Sequence, residues 1–502
     1  MLSTYLLLLY AICAVGLFIY GTNCYAMVFF YLKTHRAERK RLHERMLAGH
    51  QQLESTNSWP VITTQIPLFN EANVAERVIS AVAHMNYPIH KHEIQVLDDS
   101  TDETRQLVDH TVEALQQKGY WISVLRRENR RGYKAGALKL ATEEASGEFI
   151  AIFDADFVPP RDFLQKMVSV MTDSPELGFL QARWGHLNGN DSLLTRAQML
   201  GIDGHFMIEQ CARAYNKWFL NFNGTAGMWR KQAIVDAGNW QADTLTEDMD
   251  LSYRCQLAGW KASYLPDVVV PAELPESYAA FKSQQFRWAK GSIQTALKLI
   301  PRVMLSQSSL FSKVQAFLHL THYFIHPLML AMALLALPVL MTIRIDLSFP
   351  VFALSAAGIL LAMCGPSFLY IVSQVSQSKA HTRKLWVLPG LMCVGVGIAV
   401  SNTKAVLEAL FGVKSGFVRT PKSGQRTKSY RVKTNALPFI ELAMGAYCLV
   451  SLLYYVQAEK YLVGPFLGVY TFGFLWIGSR SLLEGVMLRF RLSKWLPRLG
   501  LN

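Results

Sequence analysis

Phe149-Ile150-Ala151-Ile152-Phe153-Asp154-Ala155-Asp156 is the stretch on which the fold turns. A short apolar run, read as a buried strand, leads directly into two carboxylates separated by one residue. Side chains at i and i+2 on a strand end point the same way, so both acids can address one hard cation. Magnesium or manganese held there can bridge the phosphates of a nucleotide. In isolation the same pair is equally a solvated turn.

Working outward, three more short apolar runs (61–66, 94–97 and 122–125) precede this one and alternate with helical stretches at 76–84 and 104–117. Strand and helix alternating at this spacing predict an α/β domain, a parallel-rich sheet wound with helices, over residues 59–300. Ligands on such sheets bind at the carboxyl ends of the strands, where Asp154 and Asp156 lie.

The flanks are different in kind. Residues 2–32 contain no charge, long enough to cross a bilayer. A cleaved signal peptide is disfavoured by the missing basic n-region and the long apolar stretch. Six Lys and Arg between 33 and 45 follow, so the positive-inside rule puts the amino terminus outside and the next segment in the cytoplasm. Residues 1–33 are read as a transmembrane helix and 34–58 as a basic cytoplasmic linker. Beyond residue 300, apolar runs cover 314–343, 351–375, 385–400, 436–456 and 462–477, separated by basic loops. If every basic loop is cytoplasmic, crossings between them come in even numbers, and the run at 385 is one too many. It is short and carries Pro389, Gly390, Gly395 and Gly397, so 385–411 is expected to lie in the interface or re-enter, with a sixth crossing as the alternative. The membrane domain 301–502 then has four spans, this interfacial helix and a loop at 412–435, with the carboxyl terminus inside.

Composition agrees. Of 502 residues 51% are hydrophobic and 17% charged, which excludes a disordered or fibrous chain and disfavours a wholly soluble one. The net charge of +13 is concentrated beside the apolar runs, where it follows topology and anionic lipid rather than nucleic acid. Seven cysteines, none in a CxxC pair, signal neither a disulfide framework nor a zinc site.

Four further clusters carry chemistry. Asp98-Asp99-Ser100 follows the strand at 94–97 and is also a plausible helix cap. Gly132-Tyr133-Lys134-Ala135-Gly136 is a flexible basic segment able to approach a phosphate. Thr246-Glu247-Asp248 precedes a helix, where acids compensate the dipole. Gln284-Gln285-Phe286-Arg287-Trp288 falls on a helix with the marks of an interfacial anchor.

Taken together, these clusters resemble the signature D, DxD, TED and QxxRW of the processive family-two glycosyltransferases, which include cellulose, hyaluronan and chitin synthases. The matching residues are Asp99, Asp154 with Asp156, Thr246 to Asp248, and Gln284 with Arg287 and Trp288. The chain is more similar still to the cellulose-synthase-like A and C proteins. Their wording appears as QIP at 65–67, QVLDDSTD at 95–102, GYKAGAL at 132–138 and AIFDADF at 151–157. It continues as QARW at 181–184, FNGTAG at 222–227 and LPESY at 274–278. FVRTPK at 417–422 resembles the gating loop of bacterial cellulose synthase, departing from it at Arg419. A basic loop drawn to anionic lipid explains the same residues.

The resemblance implies a cytoplasmic GT-A catalytic domain inserted between transmembrane helices. It implies an inverting displacement from a nucleoside-diphosphate sugar, UDP-glucose or GDP-mannose, onto a growing β-glycan, coupled to translocation across the plasma or inner membrane. Asp248 is then the general base, with Glu247 and Asp156 in the catalytic group. Asp154 and Asp156 hold Mg²⁺ or Mn²⁺. Phe69, Asp99, Lys134, Arg287, Thr420 and Lys422 bind the donor. Trp288, Gln284, Phe222 and Thr225 form the acceptor site. Accessory export subunits are compatible with this scheme and nothing in the residues names them. A non-processive synthase adding one sugar to a lipid, such as a monoglucosyldiacylglycerol synthase, shares the same motifs and stands as the alternative.

Overall fold

The computed structural model describes residues 2–342, 349–378, 382–414, 436–459 and 464–493. Its centre is a seven-stranded sheet: β1 (Ile62–Leu68), β2 (His92–Asp98), β3 (Ile122–Leu125), β4 (Phe149–Ile152), β5 (Leu177–His186), β6 (Gly227–Arg230) and β7 (Lys261–Ala272), in the order β3-β2-β1-β4-β6-β5-β7. The first four strands are parallel, as the alternation with helices requires. β6 runs antiparallel between β4 and β5, which makes the sheet mixed.

Register between β1 and β2 is set by polar groups as well as apolar ones. Thr63, Thr64 and Gln65 are fully buried on β1. Thr63 donates to Glu93, Thr64 pairs with His92 at 2.8 Å, and Gln65 donates to Gln95 at 3.0 Å. A slip of one residue would leave these buried groups unpaired, which is a stronger constraint than hydrophobic burial alone. β4 contributes only apolar side chains to the core, so its polar residues appear where the strand ends, at the sheet's carboxyl edge.

The basic segment after the first apolar run is not a linker. A single helix runs from Leu2 to Thr56, and its second half docks on the α/β domain. Leu42 and Leu53 are buried in the same core as the sheet. Arg39 forms an ion pair with Asp267, and Arg45 donates to Ser174 at 2.9 Å. A Cβ on Gly49 would stand 2.1 Å from the Ser169 carbonyl oxygen, so the two backbones are in direct contact there. Charge in this segment serves both membrane edge and docking surface, which is why its composition reads as a linker.

Among the described residues five helices are long and apolar enough to cross a membrane: Thr4–Thr56, Leu310–Met341, Ala357–Gln377, Leu437–Gln457 and Gly464–Gly485. Residues 383–410 form two helical segments bent by 43° at Ile398, a broken span or a re-entrant element.

The helix Tyr278–Leu305 joins the two halves. Glu484 accepts from the Tyr278 and Ala279 amides at 3.0 and 3.3 Å. The buried Glu441 receives Lys282 at 2.9 Å, and Glu408 receives the fully buried Lys290 at 2.7 Å. Removing one member of a buried pair strands a charge at a cost of about 3–5 kcal/mol, whereas replacing both with apolar residues is often neutral. Lys282→Met and Glu441→Leu should each lower the thermal unfolding midpoint in detergent sharply, and the double variant should recover most of the loss. Simple addition of the two losses would show that the pair is not coupled.

Candidate active site

The strand ends build the site. Asp154 and Asp156 leave β4 at the carboxyl edge, and the Asp154 amide donates to Thr225 Oγ1 at 2.9 Å just before β6. Lys134, in the first turn of the helix Tyr133–Glu144, donates to Asp154 Oδ1 at 2.6 Å and to the Gly224 carbonyl oxygen at 2.8 Å. The intervening loop is held from behind by the buried Gln181, which accepts from the Asn223 amide at 2.9 Å and donates to the Thr225 carbonyl oxygen at 3.0 Å. Gly224 adopts φ +78°, and a Cβ there would stand 2.9 Å from Asp248 Oδ2. Both the backbone and the close approach demand glycine.

Glu247 and Asp248 open the helix Glu247–Leu257, where the helix dipole favours anions. Its start is braced by the helix Tyr278–Leu305: the Leu245 amide donates to Gln294 at 3.0 Å, and Thr246 and Thr295 share a hydrogen bond at 3.1 Å. Gln284, Arg287 and Trp288 fall on one face of that helix, at i, i+3 and i+4, and line the same cleft as the acids and Lys134.

Burial dominates the electrostatics of the cleft, and like charge adds to it at Asp248. Burial and the neighbouring Glu247 push Asp248 up to about 7 despite Lys134. Burial likewise raises Glu247, opposed by Lys134. Lys134 would be lowered by burial, but Asp154 and Glu247 outweigh this and raise it. Burial lowers Arg287 against the pull of Glu247, Asp154 and Asp156. Asp154, Asp156, Glu247 and Asp248 thus face Lys134 and Arg287, an acidic excess in which a diphosphate needs an added cation.

Among the described residues no group of three His, Cys, Asp or Glu side chains is placed to hold a metal alone. The donor set instead fits Mg²⁺ or Mn²⁺ taken with substrate, since magnesium sites commonly use one or two carboxylates completed by phosphate oxygens and water. Asp154 and Asp156, both in the cleft wall, are the carboxylates that could supply such ligands.

Several expected residues sit elsewhere. Phe222 is fully buried between Phe179 and Trp229, so its ring does not line an acceptor site. Thr225 is also fully buried and serves Asp154 from behind. Asn223 and Gly224 take their place in the cleft wall. Asn223 is oriented by Gln210 and His205, from the π-helical turn His205–Gln210. Phe69 and Asp99 stand past the ends of β1 and β2, outside the acidic cleft but on the same sheet edge. Arg130 covers the Phe69 ring at 3.3 Å, and Arg127 grips both oxygens of Asp99. Thr420 and Lys422, with the rest of the 417–422 loop, lie outside the described residues. The arginines and Asn223 were hidden in the sequence because solvated loops are rich in such residues.

Residues 60–291 match the family model described as "Glycosyltransferase like family 2". The sheet, the acidic strand end and this match define a GT-A-type, nucleotide-sugar-dependent hexosyltransferase. The chain is 33% identical over 468 residues to glucomannan 4-beta-mannosyltransferase 2 of Arabidopsis thaliana, covering 88% of this chain and 85% of that protein. It is 41% identical over 261 residues to glucomannan 4-beta-mannosyltransferase 1 of Cyamopsis tetragonoloba, covering 51% of this chain and 50% of that one. A solved mannosyltransferase from Pyrobaculum calidifontis, in complex with GDP-Man and Mn2+, is 20% identical over 79% of this chain and 100% of its own, with a TM-score of 0.49. The chain belongs to the family-two glycosyltransferases, among the relatives of the glucomannan 4-β-mannosyltransferases.

Gly224→Ala should reduce transfer about 10²-fold, the scale of a displacement near 1 Å in a reacting group. Thermal unfolding and turnover of purified protein together check this. Wild-type turnover would show that the Asp248 carboxylate does not depend on the Gly224 contour.

Proposed function

We propose that the protein polymerises a β-linked mannan-type glycan from GDP-mannose and passes it through its membrane helices. The observation that carries this reading is the cleft itself. Metal-type and base-type carboxylates face Lys134 and Arg287, and Gln284, Arg287 and Trp288 ride on a helix fastened to the membrane helices by Glu408 and Glu441. The choice of mannose rests on the names of the relatives, which match the chain through its membrane segments as well as its catalytic domain.

In the reaction, an acceptor hydroxyl oxygen attacks the anomeric carbon as the bond to the diphosphate oxygen breaks, with inversion at carbon. Asp248 takes the hydroxyl proton. Its Oδ1 is engaged by the Met249 amide at 2.8 Å, and its Oδ2 faces Gly224. The raised Asp248 pKa suits a base working near neutral pH. Lys134 and Arg287 neutralise charge developing on the leaving diphosphate. When bound at Asp154 and Asp156, Mg²⁺ or Mn²⁺ supplies further Lewis-acid stabilisation of that diphosphate. Trp288 offers a flat apolar face to the acceptor sugar, and Phe69 and Asp99 hold the nucleoside end once Arg130 moves aside. Thr420 and Lys422 are proposed as further donor-binding residues. Because the donor is a cytosolic metabolite type, the cleft is assigned to the cytoplasmic face, with the amino terminus outside and the carboxyl terminus inside.

Incubating purified protein with GDP-mannose or UDP-glucose, followed by sizing and linkage analysis of the product, tests the reading. Long β-mannan formed with GDP-mannose, and lost on chelation, is the expected result. A single-sugar glycolipid would assign the protein to the non-processive class instead.

Asp248→Asn should lower transfer by about 10²–10⁴ while donor affinity stays near normal. In the wild type, kcat/KM should fall as pH drops through about 7, because the base is then protonated in the free enzyme. An acid limb near pH 4 would contradict the assignment.

A further inference from the structure

His186 ends β5, two residues beyond Trp184 and therefore on the same face of the strand, and both line the cleft. Its side chain is only 9% exposed. One ring nitrogen is accounted for, since Nε2 lies 3.0 Å from Asp203 Oδ1. The other oxygen of Asp203 accepts from Gln374 at 3.1 Å, in the last turn of the helix Phe349–Gln377. Burial alone would raise Asp203, but His186 and Gln374 outweigh it and hold the carboxyl down at about 2. An ionised carboxylate only accepts hydrogen bonds, so Nε2 carries the hydrogen and the ring orientation is set.

Nδ1 is the residue's unanswered atom. It is buried and meets no hydrogen-bond partner among the described residues, and the same holds for Trp184 Nε1. Buried polar atoms are nearly always paired, so two unanswered ones in a cleft wall are positions that a ligand or water can complete. The indole can only donate, and the second imidazole nitrogen accepts in the neutral ring or donates in the charged one. Hydroxyl groups answer both, and a sugar presents several at fixed angles.

We infer that His186 Nδ1 binds a hydroxyl of the acceptor sugar, on an imidazole oriented by Asp203 and Gln374. The acceptor is indicated over the donor by position. Trp184 stands 6.5 Å, centroid to centroid, from Trp288, whereas the diphosphate end is marked by Lys134, at the start of the helix Tyr133–Glu144, and Asp154, past the end of β4. His186 is thus a specificity-determining residue. It reads hydroxyl orientation on the sugar that takes the next unit, and it does so through a brace reaching into a membrane helix. This rests on the proposed polymerase reading, in which the acceptor is a glycan.

A cycle of variants and acceptors tests it, with GDP-mannose as donor. The acceptors are a β-1,4-linked mannotriose and its versions lacking one hydroxyl on the non-reducing sugar. In the wild type, one of the deoxy acceptors should lose about tenfold in kcat/KM, the scale of one hydrogen bond left unmade. His186→Gln keeps an amide near the Nε2 position for Asp203 and places nothing at Nδ1. It should lose about tenfold with mannotriose and nothing further with that deoxy acceptor, the non-additivity expected of a direct contact. Donor KM and donor hydrolysis without acceptor should be unchanged. His186→Asn, which restores a polar atom near Nδ1, should recover most of the acceptor affinity. His186→Phe serves the same cycle should the glutamine variant lose donor hydrolysis. Wild-type mannotriose extension by the variants, or an undiminished penalty for every deoxy acceptor, overturns the role of His186 alone. A wild-type protein that hydrolyses donor yet extends no oligosaccharide overturns the polymerase reading, and the glycan ligand with it.

Discussion

Gly291 has no side chain, and the candidate active site is assembled around that fact. A Cβ at this position would stand 2.6 Å from Thr246 Cγ2 and 2.8 Å from the Thr246 backbone nitrogen, so the helix Tyr278–Leu305 lies directly on the turn that launches Glu247 and Asp248. The contact is clamped one turn further along by Gln294 and Thr295. Because Gln284, Arg287 and Trp288 occupy the same helix, the spacing between acids and cation is a property of one packed interface. Lys290, the neighbour of Gly291, carries the same constraint onward to Glu408 in the membrane half. Reacting groups held by packed helices in this way need little reorganisation during reaction.

The cleft is also a balance of opposed costs. Four carboxylates gathered at one strand edge and one helix start repel one another, and burial makes the repulsion stronger. Lys134 answers it by bridging Asp154 to the Gly224 carbonyl, joining β4 to the loop before β6. Its position two residues into a helix that starts at a left-handed Gly132 explains why a flexible-looking glycine segment precedes a buried cation.

Much of this was legible in the residues. The four parallel strands and their helices follow from apolar runs of strand length. The acids at 154, 156, 247 and 248 stand at element ends, where a one-dimensional pattern is informative. What escaped depends on distance along the chain. Lys282 and Glu441 are 159 residues apart, and neither position looks paired locally. β6 is a four-residue strand whose antiparallel direction comes from the sheet around it. Phe222 and Thr225 belong to a motif that lines the cleft through Asn223 and Gly224, and alternation around a sharp turn sends their own side chains into the core.

The amino-terminal helix carries a mechanical consequence. Fifty-five residues of unbroken helix span about 80 Å at 1.5 Å per residue, well over twice the hydrocarbon thickness of a bilayer. Its apolar half packs so tightly on the helix Phe349–Gln377 that a Cβ on Gly21 would stand 2.1 Å from the Ala362 carbonyl oxygen, and its polar half is pinned near Ser169. Such a rod is a lever. A tilt of about 5° at the membrane end swings the far end by roughly 7 Å over that length, far more than the docked surface tolerates. Hydrophobic mismatch biases helix tilt, so bilayer thickness is a variable that this helix would carry to the catalytic domain.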